Sequence, residues 1–266
     1  MMKRKNMILM AFAGLIIINM LIAVPAYCKI DPETIVAYWL LDEGQGKDAT
    51  DSSDNGYDGV VTGSNWVDGK FGKALEFDGK TDKVEVVDAE GLDGVPQITV
   101  LTWVKYDKEP PQNYAPVGKE PLYRFIIGKG GSGHFVAATT GNAWYSNGTV
   151  ASDGGMTPGE WHHLGGTYDG TKVRFYVDGK MAGQGPQDVT GDILNNADPF
   201  TMAKSIADNV DYLEGAVDEV AVFSVALSEA DIKSIMTVGL SGALAGKIAV
   251  SDNGKLTSTW ANEKIR

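Results

Sequence analysis

Apolar residues in this chain fall in short runs separated by turn residues, not in long stripes with helical spacing. The run at 35–41, Ile-Val-Ala-Tyr-Trp-Leu-Leu, is β-branched and aromatic and reads as a buried strand. Further strands are predicted at 59–62, 74–77 and 83–87. The run at 98–106 is apolar on both faces, as expected of a central strand in a sandwich. Glu109-Pro110-Pro111-Gln112 predicts a break and the start of a long surface loop. Strands resume at 122–129, 135–139 and 143–146, and two more are predicted at 200–204 and 216–223.

The strongest local pattern runs from Trp161 to Gly183. A strand at 161–168 ends at Asp169-Gly170. The return strand at 172–177 places Val173, Phe175 and Val177 on one face, and Asp178-Gly179 turns the chain into 180–183. Asp-Gly and Asn-Gly pairs suit tight turns because glycine tolerates positive φ. Such pairs recur at Asn55-Gly56, Asp58-Gly59, Asp68-Gly69 and Asp78-Gly79, which multiplies the expected short strands. Only one segment has helical spacing: Ser228 as N-cap, Glu229 and Asp231 in the first turn, a stripe of Ala230, Ile232, Ile235 and Met236, and Gly239 as the stop. Regular short strands with one late helix predict an all-β, two-sheet antiparallel β-sandwich.

Composition supports a buried core: 43% of the 266 residues are hydrophobic and 22% charged. The formal net charge of −12, with no basic stripe, argues against a nucleic-acid partner. The first residues change the picture more. Lys3-Arg4-Lys5, an apolar run over 7–24, then Pro25 and Ala26 have the layout of a secretory signal peptide, assigned to 1–28. A retained membrane anchor is the alternative for that run. The protein is expected to be secreted or held in the cell envelope, with no membrane contact after cleavage. Cys28 is the only cysteine, so an intrachain disulfide is excluded, and Tyr27 beside it disfavours a lipoprotein.

Several motifs in this order resemble one family. They are Ala37-Tyr38-Trp39-Leu40-Leu41-Asp42-Glu43-Gly44, Asp51-Ser52-Ser53-Asp54-Asn55-Gly56 and Gly72-Lys73-Ala74-Leu75-Glu76-Phe77-Asp78-Gly79. Then come Ile98-Thr99-Val100-Leu101-Thr102-Trp103-Val104, Trp161-His162-His163-Leu164, Phe175-Tyr176-Val177-Asp178-Gly179 and Gly215-Ala216-Val217-Asp218-Glu219-Val220. The set resembles the laminin-G-like, concanavalin A-like jelly-roll domains of bacterial secreted proteins, over residues 35–236. Residues 237–266 are then a C-terminal tail. The resemblance implies one concave sheet and a structural calcium near the rim. It places Asp218 near the first strand, and the expected ligands are Asp51, Asp218, Asp42, Asn55 and Asp78, since calcium wants several hard oxygens.

The same fold also carries enzymes, so the fold does not decide the role. A glucanase like the laminarinases would show Glu-x-Asp-x-x-Glu on one strand face. The stretch from Glu214 to Glu219 has the wrong spacing, and Glu76-Phe77-Asp78 lacks the third acid. A lyase would need a base beside an arginine, and Arg124, His134 and Tyr123 are the residues available. His162 and His163 are adjacent in a strand and so point to opposite faces, which prevents them from chelating one ion. Gly128-Lys129-Gly130-Gly131-Ser132-Gly133 is followed by no helix and reads as a glycine hairpin, not a phosphate loop.

Aromatic residues outside the strongest strands suit sugar rings, with amides and carboxylates for the hydroxyls. Trp144, Tyr145, Asn147, Tyr123 and Arg124 are the expected ligand-binding residues. Non-catalytic recognition of an extracellular glycan or surface glycoprotein is the function expected. A divergent polysaccharide hydrolase or lyase and a purely structural adhesion or envelope module are the alternatives.

Overall fold

In the computed structural model, residues 30–141, 149–152, 154–185, 189–206 and 211–244 are described. The expected signal segment 1–28, the strand at 143–146 and the tail beyond 244 lie outside them. In chain order the strands are β1 Ile35–Trp39, β2 Asp48–Ala49, β3 Gly59–Thr62, β4 Asn65–Asp68, β5 Lys73–Asp78, β6 Lys83–Val86, β7 Ile98–Tyr106 and β8 Val117–Lys119. They continue as β9 Tyr123–Ile127, β10 Gly133–Ala137, β11 Thr149–Ser152, β12 His162–Tyr168, β13 Val173–Val177, β14 Lys180–Gln184, β15 Phe200–Met202 and β16 Glu214–Phe223. One helix, α1 Glu229–Leu244, follows.

The strands form two antiparallel eight-stranded sheets. The first runs β14-β13-β12-β7-β16-β5-β4, with β1 also against β16. The second runs β11-β10-β9-β8-β15-β6-β3-β2. Strand β16 is shared unevenly: β7 follows one edge, while β5 takes residues 214–217 and β1 takes 220–223 of the other. The expected all-β sandwich is therefore what the chain forms.

Packing explains why both faces of the first sheet are apolar. Its inner face closes the main core against the second sheet, where Trp39 stacks on Phe200 with centroids 5.2 Å apart. Its outer face buries Leu101, Tyr176, Ala221 and Phe223 beneath Ile232, Ile235, Leu240 and Leu244 of α1. Ser228 caps the helix as its sequence suggests, with its hydroxyl accepting from the Asp231 amide at 3.2 Å. Gly239 does break the helix, at φ 75°, yet the chain resumes helical structure to Leu244. Residues 237–244, expected in the tail, are thus part of the packed domain.

Two other expectations change. The loop after Glu109 does not stay on the surface: Tyr114, Ala115 and Val117 are buried as it turns inward to β8. Strands β2, β4, β8 and β11 were not predicted, because they are two to four residues long and mostly polar or glycine-rich.

Candidate functional site

Asp51 organises one end of the sandwich. Its Oδ1 accepts from the amides of Tyr38 at 3.1 Å and Ser53 at 2.9 Å. Its Oδ2 accepts from the Ser53 hydroxyl at 2.7 Å and the Tyr57 amide at 2.9 Å. Four donors meet the roughly four lone-pair sites of a carboxylate, so Asp51 has none left for a metal. Asn55 donates from Nδ2 to the Val36 carbonyl at 2.8 Å, which fixes its side chain against β1. The loop that wraps Asp51 turns Ser52, Asp54 and Asn55 to solvent.

These exposed groups edge a cavity of about 510 Å³. Its other walls are Pro32, Glu33, Ile35, the half-buried ring of Tyr38 and Leu244 at the end of α1. Hydroxyls, carboxylates and an amide thus face an aromatic ring and aliphatic groups, in the size range of small-ligand pockets. Burial, then the charges of Asp51 and Asp54, pushes the Tyr38 phenol up, so it stays a neutral donor. The sequence contained these residues as a family motif, but the motif signalled loop order rather than a cavity. Leu244 had no signal at all.

The expected ligand-binding residues separate. Trp144, Tyr145 and Asn147 lie outside the described residues. Tyr123 is fully buried, stacks towards Phe200 and donates to the Leu92 carbonyl at 2.6 Å, so it offers no face to a ligand. Arg124 shares an outward face of the second sheet with Ile126, His134 and Val136, by the β9–β10 register. Its guanidinium is nonetheless buried and engaged by the Glu120 carboxylate and by the Ser205 hydroxyl at 3.1 Å. That ion pair, not an open cleft, is what the arginine serves.

Of the remaining expected metal ligands, Asp42 and Asp218 meet at the 69–73 segment, while Asp78 lies in a turn of its own. Asp78 closes a turn, accepting from the amides of Lys80 at 2.8 Å, Thr81 at 2.9 Å and Asp82 at 3.2 Å. Although burial works against it, these amides hold the carboxyl below its ordinary value. Asp42 is exposed and accepts from the Lys73 amide at 2.7 Å. A Cβ on Gly72, where φ is 56°, would lie 2.0 Å from that same oxygen. Asp218 accepts from the Phe71 amide at 2.9 Å beneath the 69–72 loop. Among the described residues, no three or more His, Cys, Asp or Glu side chains are grouped to hold a metal. The five residues expected to bind calcium do not form one site.

Asp218 has an acidic neighbour, Glu219, that the sequence pairs with it but that the structure buries rather than leaves solvated. A bulge in β16 between residues 218 and 221, with Glu219 at φ 47°, brings both carboxylates under cover. Glu219 accepts from the Leu240 amide at 3.0 Å, across the break at Gly239. Asp218 Oδ1 and Glu219 Oε2 have no hydrogen-bond partner among the described residues. Burial, aided by Asp42, pushes Asp218 up to about 7. Burial, aided by Asp218, pushes Glu219 up to about 8. Crowded carboxylates here keep protons.

His162 and His163 diverge as strand geometry requires. His162 Nδ1 meets Asp178 at 2.9 Å and its Nε2 accepts from the Thr157 amide at 2.8 Å. His163 packs edge-on to Trp103 at 5.1 Å, and burial pushes it down to about 4. Both are structural.

With this geometry in place, the comparisons with known proteins decide the family. A model described as the concanavalin A-like lectin/glucanases superfamily matches residues 77–233, more than half of the chain. The chain belongs to this superfamily. Among curated proteins none matches it. Of solved structures, this concanavalin A-like domain is similar to domain 4 of AbnA, a GH43 extracellular arabinanase from Geobacillus stearothermophilus, in complex with arabinotriose. The TM-score is 0.56 at 21% identity, covering 76% of this chain and 98% of that one. The binding domain of Paraclostridial Mosquitocidal Protein 1 gives 0.61 at 14%, covering 77% of this chain and 52% of that one. A Trypanosoma rangeli sialidase gives 0.58 at 16%, covering 77% of this chain and 33% of that one. The chain thus spans about half and about a third of the latter two. At these identities the likeness is one of fold.

Proposed function

We propose that the domain is a non-catalytic recognition module that binds an extracellular glycan, free or on a surface glycoprotein, in the cavity beside the 52–55 loop. The observation that carries this reading is the combination in that cavity of the Tyr38 ring with Ser52, Asp54, Asn55 and Glu33. Sugars need an aromatic or aliphatic face for their C–H surface and polar groups for their hydroxyls. The likeness to an arabinanase domain solved with arabinotriose supports the same class of ligand. An exported protein suits it, with 1–28 removed as a signal segment; among the described residues no helix is long and apolar enough to cross a membrane.

Catalysis by hydrolysis is disfavoured by placement. A retaining glycosidase needs two carboxylates about 5 Å apart flanking a substrate, whereas Asp218 and Glu219 are buried at 0% and 4% exposure. The test is a glycan array followed by titration calorimetry, with Tyr38→Ala and Asp54→Ala variants. Tyr38→Ala should weaken binding about tenfold or more, since one sugar-stacking ring contributes about 1.4 kcal/mol. That loss should go beyond what its lost packing against the helix-side core takes from melting. Asp54→Ala, at an exposed position, should weaken binding with melting unchanged. Folded protein that binds no glycan would leave the structural adhesion module standing. Release of reducing ends or unsaturated products from a polysaccharide panel would overturn the non-catalytic reading.

A further inference from the structure

Lys119, in β8, has no exposed side-chain surface. Its ammonium faces Asp88 Oδ1 at 2.8 Å, Asp93 Oδ2 at 3.2 Å, Asn196 Oδ1 at 3.0 Å, the Asn196 carbonyl at 3.3 Å and the Asp198 carbonyl. An ammonium carries three N–H donors, so the oxygens outnumber the protons. Two of those oxygens belong to different carboxylates, so one positive charge faces two negative ones. Both mismatches vanish for a divalent cation. Calcium takes six to eight oxygens from carboxylates, amides, carbonyls and water.

Two of these oxygens, Asp93 Oδ2 and Asn196 Oδ1, are also held in place without help from the lysine. The Asn196 amide N–H donates to Asp93 at 3.1 Å, and the Asp198 N–H donates to Asn196 Oδ1 at 3.1 Å. Asn196 Nδ2 is spent on the Glu120 carbonyl at 3.0 Å and the Asp198 carboxylate at 2.9 Å, which turns Oδ1 inward. The Asp88 side chain is 37% exposed, so the cage opens to solvent on one side. No part of the cage belongs to the cavity beside Tyr38 or to the five residues expected to bind calcium.

We propose that this rim is a calcium-type oxygen cage occupied by the chain's own cation. Lys119 ties the segments around Asp88, Asp93, Asn196 and Asp198 where the oxygen set matches a divalent ion. The rim is therefore metal-independent as built, and it becomes a calcium site when the side chain is cut back. This rests on the cage alone and stands apart from the glycan reading.

The experiment compares wild type, Lys119→Ser and Lys119→Met by thermal melting in calcium and in chelator. Terbium luminescence sensitised by Tyr123, whose hydroxyl reaches the Leu92 carbonyl beside Asp93, reports binding directly. Wild type should melt at the same temperature in both buffers and give no sensitised emission. Lys119→Ser should melt lower in chelator, regain at least half of the loss in calcium and bind terbium, and adding Asp93→Asn should abolish the gain. Lys119→Met, whose side chain fills the space, should stay low in both. Failure of Lys119→Ser to recover in calcium, as a low melting point or as no folded protein, overturns the proposal. Equal recovery by Lys119→Met does so too, as does a calcium gain in wild type that Asp93→Asn removes.

Discussion

Of the places where this sandwich buries carboxylates, two solve the same electrostatic problem in opposite ways. Around Lys119 a cation is brought in, and the carboxylates of Asp88 and Asp93 face it as ions. Beneath the 69–72 loop no cationic side chain pairs with the acids among the described residues, and burial lifts Asp218 to about 7 and Glu219 to about 8, so both hold their protons well above the ordinary carboxylate range. A buried ion needs either a partner or a proton. The contrast teaches that an acidic motif in a loop-rich β-protein does not announce a metal. What surrounds each carboxylate decides, and here amides, a lysine and protons take the three available roles.

The sharpest way to break the contrast is to remove the partner at one place only. Lys119→Met leaves Asp88 and Asp93 without a counter-charge and should cost about 3–5 kcal/mol, read as a fall in melting temperature on the order of 10 °C. At the other place pH does the work. Folded-state values above the ordinary 3.8 and 4.5 mean that the folded protein holds protons the unfolded chain gives up. Stability from this pair is full below about pH 4 and is lost as pH rises through about 7 and 8. Denaturant titrations at pH 5 and pH 8.5 should differ by several kcal/mol, with the acidic buffer favoured. Asp218→Asn with Glu219→Gln should flatten that slope, and an unchanged slope would remove the protonated pair from the account.

Smaller effects sharpen the third role. Asp51→Ala strips four donors of their acceptor and should cost about 2 kcal/mol. It should also disorder the 52–55 loop enough to weaken glycan binding together with stability. Asp54→Ala, at an exposed position, should separate the two, weakening binding while leaving the melting temperature within a degree or two. If both variants lower binding only in proportion to lost stability, the cavity is not where the ligand sits.

Much of the sandwich was legible because its information is local. The β12–β13–β14 meander is written in Asp-Gly turns and alternating apolar residues, and β3 and β7 fall where periodicity put them. Strand β8 was not legible. It is three residues long, ends in a lysine, and is held only by its neighbours β15 and β9. A buried lysine contradicts the compositional rules for strands, so its oxygen cage, whose farthest member lies 79 residues from the lysine, left no local trace. Asp51 and Asp218 drew attention as calcium ligands, whereas the structure gives them backbone amides as partners, and amides have no sequence signature. Arg124 drew attention as a ligand residue, while its carboxylate partner Glu120 sits one helical-looking step away and looked like loop.

The break at Gly239 gives the neutral pair a reporter. A Cβ there would sit 2.7 Å from Glu219 Oε1, so only glycine lets the chain pass close enough for the Leu240 amide to reach that oxygen. The strength of that one bond follows the charge on Glu219, because an ionised acceptor holds an N–H more tightly than a neutral one. The isotropic shift and exchange lifetime of a single backbone proton in α1 therefore follow an ionisation in the neighbouring strand β16, and the helix carries its own indicator of acidity.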